Sequence, residues 1–214
     1  MTRFDDCRWG FPTPDQWPDD DDIVAIGADL TPQTVLHAYT RGMFPMHVDR
    51  LKRELGWWSP LMRGVIPMDG LIITKSMRRS DRRYTVTFDT AFTEVMTKCG
   101  TTRRKGNWIT DEFVRTYDEI RRMGHASSVE VRDAAGDLVG GLYGVRIDRF
   151  FAGESMFHTA TDASKVALMH LVDRLRDEGV TLLDTQWCTE HLASLGCVEV
   201  PRAEYLRRLA LALD

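Results

Sequence analysis

The chain has 214 residues, 43% of them apolar and 28% charged, with a formal charge of −4. That balance suits one large or two modest domains whose core needs no metal or disulfide staple, and it excludes a disordered chain and a globally basic nucleic-acid binder. The longest apolar runs fall far short of the roughly 18 residues of a membrane span, and MTRFDDCRWG lacks an apolar signal core, so a cytoplasmic protein without a membrane anchor is expected. Cys7, Cys99, Cys188 and Cys197 form no CxxC pair and read as scattered reduced thiols. Cys188 and His191 stand at C-x-x-H spacing, but without a second pair they do not make a zinc site.

Along the chain, FPTPDQWPDDDD is rich in proline and acid, and Asp19 to Asp22 read as a solvated loop. One helix follows, with Thr31 as N-cap, Pro32 in its first turn and Gly42 at its end. The dense aromatics and prolines of GMFPMHVDRLKRELGWWSP show no period and suggest a small N-terminal domain packed over something else, here residues 1–62. From about Val65 the pattern alternates. A helix is expected from Thr90 to Cys99, capped by Asp89 and stopped by Gly100, and another from Asp111 to Met123 between Thr110 and Gly124. SSVEVRD and LVGGLYGVRI form a hairpin across AAGD, and RFFAG is a third strand ending at a Gly-Glu-Ser turn. A long helix from about Ala163 to Glu178, the strand VTLLDTQW, a short helix near Glu190 to Leu195 and a terminal helix from Ala203 complete the chain. The fold class is α+β with a mixed sheet. Its order is similar to that of N-acetyltransferase (GNAT) domains, whose sheet splays open between the strand before the long helix and the strand after it. Glu154 and Ser155 then meet Asp184 and Gln186 across one crevice, with Asp184 and Gln186 two residues apart on one face of their strand.

Acyl transfer from coenzyme A needs a glycine-rich loop that opens the long helix. The string Arg121-Arg-Met-Gly-His-Ala126 matches that pattern but ends a helix, and MFHTATDASK at the expected place has no glycine. Coenzyme A is therefore not the expected donor.

The strings GADLTPQTVLHAYTRGMFP, WWSP, NWIT, SSVEV, LVGGLYGV, FFAGESMFH, ASKVAL, LLDTQ, HLASLG and PRAEYL, in this order, resemble the leucyl/phenylalanyl-tRNA–protein transferases over nearly the whole chain. The resemblance implies a small N-terminal domain followed by a GNAT-like catalytic domain, residues 63–214. It also implies transfer of Leu, Phe or Met from aminoacyl-tRNA to proteins that begin with Arg or Lys, which marks them for N-end-rule degradation. Aminoacyl-tRNA is then a co-substrate, with no cofactor or metal, and the enzyme is expected to be a monomer.

The aminoacyl ester is already activated, and an α-amine with pKa near 8 is about a tenth neutral at pH 7, so positioning supplies most of the rate. By the same resemblance the Asp184 and Gln186 pair handles the proton. A glutamine amide does not titrate near pH 7, so Gln186 is expected to orient, held by Asp184, while the carboxylate or the terminal ribose hydroxyl of the tRNA carries the proton; Glu154, a carboxylate at the crevice, is expected to hold the incoming amine or basic side chain. The side-chain pocket maps to Leu142, Phe151, Leu168, Leu171 and Leu183, beside Ser155. Trp57, Trp58 and Trp108 are candidates to stack on the terminal adenine. Two basic runs, Lys75, Arg78, Arg79, Arg82 and Arg83, then Arg103, Arg104 and Lys105, are candidate tRNA contacts. The chain departs from the family pattern at Met46, Ser127, His158 and Leu171, which bears on donor preference. Two rival readings are a coenzyme-A-dependent acetyltransferase and a catalytically idle tRNA-binding protein.

Overall fold

The computed structural model describes Phe4 and residues 7–48, 54–101 and 109–214. The N-terminal part carries strand β1 (Ile23–Ile26), helix α1 (Pro32–Thr40) and strands β2 (Phe44–Val48) and β3 (Glu54–Trp58), in an antiparallel sheet ordered β1-β3-β2. Thr31 precedes α1 in extended conformation, as its spacing predicts, and Gly42 follows with φ +82°. The Thr31 hydroxyl caps nothing; it donates to Asp29 Oδ1 at 2.8 Å, as does Thr34 Oγ1 at 2.7 Å. The segment expected to be irregular is the hairpin β2–β3. Pro45 masks it, because proline breaks a strand pattern, yet β2 is an edge strand, where a missing N–H costs no ladder bond.

A second sheet of seven strands follows. Its elements are β4 (Met62–Ile66), α2 (Lys75–Asp81), β5 (Thr85–Phe88), α3 (Phe92–Thr101), α4 (Asp111–Arg122), β6 (Ala126–Arg132), β7 (Leu138–Ile147), β8 (Phe150–His158), α5 (Ala163–Asp177), β9 (Leu182–Gln186), α6 (Glu190–Ala193), β10 (Val198–Pro201) and α7 (Arg202–Ala212). The order is β10-β4-β9-β8-β7-β6-β5. Every neighbouring pair is antiparallel except β8 and β9, which α5 joins as a crossover. The architecture is thus α+β: a small N-terminal domain and a mixed sheet.

Two local expectations fail for physical reasons. Gly100 lies inside α3 instead of stopping it, and Asp89 is not its cap: with φ +61°, Asp89 accepts from Ser127 Oγ and the Ser128 amide. The Thr90 and Ala91 amides before α3 turn instead to the buried Glu130 carboxylate of β6, each at 3.3 Å. The second failure matters more: β8 does not end at the Gly-Glu-Ser turn but runs on to His158.

The sheet is covered on both faces. Against one lie α2 and α5, whose buried Val166, Leu168, Leu171, Val172 and Leu175 pack over Leu142, Phe151 and Leu183, at about 1.5–3 kcal/mol for each large apolar side chain. Against the other lie α1, α3, α4 and α7 with the N-terminal sheet, around Tyr39, Phe44, Trp57, Phe113, Tyr117 and Tyr205. No helix among the described residues is long and apolar enough to cross a membrane.

Candidate active site

Strands β8 and β9 pair through Phe150↔Leu182, Phe151↔Leu183 and Ala152↔Asp184, and then part. Both carry a bulge just beyond the last pair. On β8, Gly153 faces Gly144 and Ser155 faces Tyr143, which leaves Glu154 as the extra residue; on β9, Asp184 faces Val65 and Gln186 faces Gly64, which leaves Thr185. The β8 bulge shifts the alternation by one: Phe150 and Ala152 share a cluster with Phe157, while Phe151 packs in the other, with Met156 against it. Bulges bend a strand and re-aim its side chains. Here they open the sheet and turn Glu154 toward α1 and α4. The chain leaving β9 passes close over β4, because a Cβ on Gly64 would stand 2.6 Å from the Cys188 nitrogen and the Trp187 carbonyl carbon.

The opening is a cleft of about 740 Å³. One wall is apolar, with Leu142, Met156, Leu168, Leu171 and Leu183; Phe44, Pro45 and Met46 of β2 form another, and Trp187, Thr189, His191 and Leu192 a third. Glu154, Ser155, Thr185 and Gln186 bring polar groups to it. The Glu154 carboxylate accepts from Tyr39 Oη at 2.5 Å, Gln186 Nε2 at 3.2 Å and Tyr117 Oη at 3.3 Å. The two tyrosine oxygens are 2.9 Å apart. Burial pushes the Glu154 pKa up to about 7, with the Asp184 charge acting the same way and the Tyr39 and Tyr117 hydrogen bonds and Arg63 acting against it. A carboxyl so poised exchanges its proton near neutrality.

Asp184 is not on the cleft wall. It is fully buried and takes Arg63 Nε at 2.8 Å and Nη2 at 2.6 Å, Tyr205 Oη at 3.0 Å and the Gln186 amide at 2.9 Å. Arg63 lies between the Phe44 and Tyr205 rings, 4.8 and 4.2 Å from their centroids, and donates Nη1 to Gly42 O at 3.1 Å. The neighbouring Asp184 charge holds the guanidinium above its ordinary pKa despite burial. The two-residue spacing of Asp184 and Gln186 therefore misleads. The bulge at Thr185 and the left-handed Gln186 backbone, φ +59°, break the alternation, so Gln186 turns to Glu154 and Asp184 holds only its main chain.

Of the other expected residues, Ser155, Leu142, Leu168, Leu171 and Leu183 line the cleft, whereas Phe151 is absent from its wall and sits 1% exposed in the core packed by α5. Trp57 is fully buried with Nε1 on Gly27 O, so it offers no face to a base. Trp58 is partly exposed but packs edge-on against Trp187, centroids 5.9 Å apart, and it is Trp187 that lines the cleft. Trp108 and the run Arg103, Arg104 and Lys105 lie outside the described residues. Lys75, Arg78, Arg79, Arg82 and Arg83 are all exposed on or just after α2.

Tyr39, Tyr117, Arg63, Tyr205 and Trp187 are site residues that sequence reasoning misses. Arg63 does carry a signal, as the one charge in the apolar run WWSPLMRGVIPM. Three of the four departures, Met46, His158 and Leu171, stand on the cleft wall; Ser127 instead bonds Asp89.

The family model for leucyl/phenylalanyl-tRNA protein transferase matches residues 65–210, and the model for that family's N-terminal domain matches 28–61. Relatives named leucyl/phenylalanyl-tRNA–protein transferase are 45% identical in Pseudoalteromonas atlantica (89% of this chain, 82% of the relative) and 50% in Cereibacter sphaeroides (86% of each). The one from Ruegeria pomeroyi is 48% identical (86% of this chain, 88% of the relative). Among solved structures, a GCN5-related N-acetyltransferase from Kribbella flavida aligns with TM-score 0.41 at 12% identity, over 67% of this chain and 54% of that one. The matched families make the chain an enzyme of the transferase class. It belongs to the leucyl/phenylalanyl-tRNA protein transferase family.

Proposed function

We propose that the chain moves a leucyl, phenylalanyl or methionyl group from aminoacyl-tRNA to the α-amine of proteins beginning with Arg or Lys, marking them for N-end-rule degradation in the cytoplasm. In this reading residues 1–62 and 63–214 act as one monomeric unit, and no cofactor takes part. The observation that carries it is Glu154, with a pKa near 7, bonded to Gln186 across the parted strands beside an apolar pocket.

The donor side chain enters among Leu142, Leu168, Leu171 and Leu183, with its ester carbonyl beside Glu154 and Gln186. The neutral amine attacks the carbonyl carbon, and a C–N bond forms. Ionised Glu154 takes the proton that the nitrogen sheds and passes it to the ribose oxygen as the C–O bond breaks, which returns the carboxylate to its ionised form. Tyr39 and Tyr117 orient the carboxylate, and the Arg63–Asp184 pair fixes the Gln186 backbone. Trp187 takes the stacking role expected of Trp57 and Trp58, and the cations of α2 meet tRNA phosphates.

The test offers the full chain radiolabelled Leu-, Phe- and Met-tRNA with two peptides, one beginning with Arg and one with Ala. Transfer confined to the Arg peptide supports the reading. Absence of transfer alongside intact tRNA binding points to the idle binding module instead.

A further inference from the structure

His158 closes β8, is exposed, and stands on the cleft wall. Its Nδ1 is 3.1 Å from Ser164 Oγ, and Ser164 is buried in the first turn of α5. A ring held at Nδ1 by a buried hydroxyl keeps one orientation and offers Nε2 to whatever passes the mouth of the cleft.

The turn that follows His158 is fastened to α2. Ser76 Oγ and Ser80 Oγ donate to Asp162 Oδ2 at 2.7 and 3.2 Å, and Tyr84 Oη donates to Thr161 O at 2.8 Å. The Asp162 charge is met by these hydroxyls and by Lys165 Nζ at 3.1 Å. The helix so attached is the one bearing Lys75, Arg78 and Arg79, with Arg82 and Arg83 just beyond it. Of the other two walls, residues 44–46 and 187–192 contain no lysine or arginine, and the second contains Glu190. A cleft of about 740 Å³ is of the size that holds one drug-sized group, not a polynucleotide. In the reading proposed above an aminoacyl-adenosine occupies it, and the chain behind that nucleoside leaves over one rim. Charge favours the rim of His158.

Resting on the reading above, we propose that His158 Nε2 donates a hydrogen bond to the phosphate immediately before the terminal adenosine of the donor tRNA, making His158 a donor-binding residue that joins the cleft to α2. The test compares phenylalanyl-tRNA with phenylalanyl-adenosine, which lacks that phosphate, as donors to the Arg peptide, for wild type, His158→Ser and His158→Gln. The expected result in His158→Ser is a KM for phenylalanyl-tRNA raised about tenfold more than the KM for phenylalanyl-adenosine, the scale of one hydrogen bond to a charged group. His158→Gln, whose amide N–H reaches the same region, recovers most of the loss. Equal losses with both donors, or no change in His158→Ser, overturn the assignment while leaving the transferase reading intact. Wild type transferring from neither donor overturns that reading and the assignment with it.

Discussion

Gln186 Nε2 reaches Glu154 Oε1 at 3.2 Å although the strands that carry them stop pairing at Ala152 and Asp184, two residues earlier on each. That side-chain hydrogen bond spans the gap the bulges open. In the proposed reaction the incoming amine competes with it, so binding would exchange one hydrogen bond for another.

Glu154 gives a pH prediction with two readouts. If its ionised form is needed, log kcat/KM rises with a slope near two below pH 7, one proton from Glu154 and one from the substrate amine. Glu154→Gln falls at least about a hundredfold and keeps a slope of one. Stability moves the other way. The folded-state pKa is raised from 4.5 to about 7, so the contribution of protonated Glu154 is full below pH 4.5 and is lost as pH rises through 7. Melting temperatures from pH 5 to 8 should therefore show Glu154→Gln gaining on wild type as pH rises.

Arg63→Met should strand the buried Asp184 carboxylate and cost about 3–5 kcal/mol in urea unfolding. Adding Asp184→Asn should recover part of that loss. Equal stability of the single and double variants would argue against the pair as the source.

Leu171→Phe adds a ring to a wall shared with Leu142, Leu168 and Leu183. Phenylalanyl transfer should fall about tenfold relative to leucyl transfer, the scale of a poorly fitting apolar group. Unchanged relative kcat/KM for the two donors would remove Leu171 from the pocket.

Replacing Arg78, Arg79 and Arg82 together by alanine should weaken tRNA binding and flatten its dependence on salt, by about 0.7–0.9 in log–log slope for each phosphate that is no longer neutralised. Phenylalanyl-adenosine transfer should not change. A salt dependence identical to wild type would place the tRNA elsewhere.

How much of this was legible depends on whether the signal was local. α4 between Thr110 and Gly124, and α5 ending before Gly179, follow from caps and apolar spacing. The β2–β3 hairpin was hidden by Pro45. α2 has only seven residues, of which Met77 and Ser80 are buried, so it reads as a bare run of charge. Glu154 and Gln186 were visible as polar groups in apolar strands, but the bulges that aim them arise from pairing with β7 and β4 and leave no periodic trace. The ion pair is more remote still: Arg63 and Asp184 are 121 residues apart in sequence.

Arg63 lies in the gap, residues 62–64, between the two segments that the family models match. Its guanidinium nonetheless touches Gly42 and Phe44 on one side of that gap and Asp184 and Tyr205 on the other. A position that a modular description would treat as a connector is therefore the keystone of the join. Swapping the N-terminal segment between relatives should succeed only where the graft carries the backbone and ring that this arginine grips.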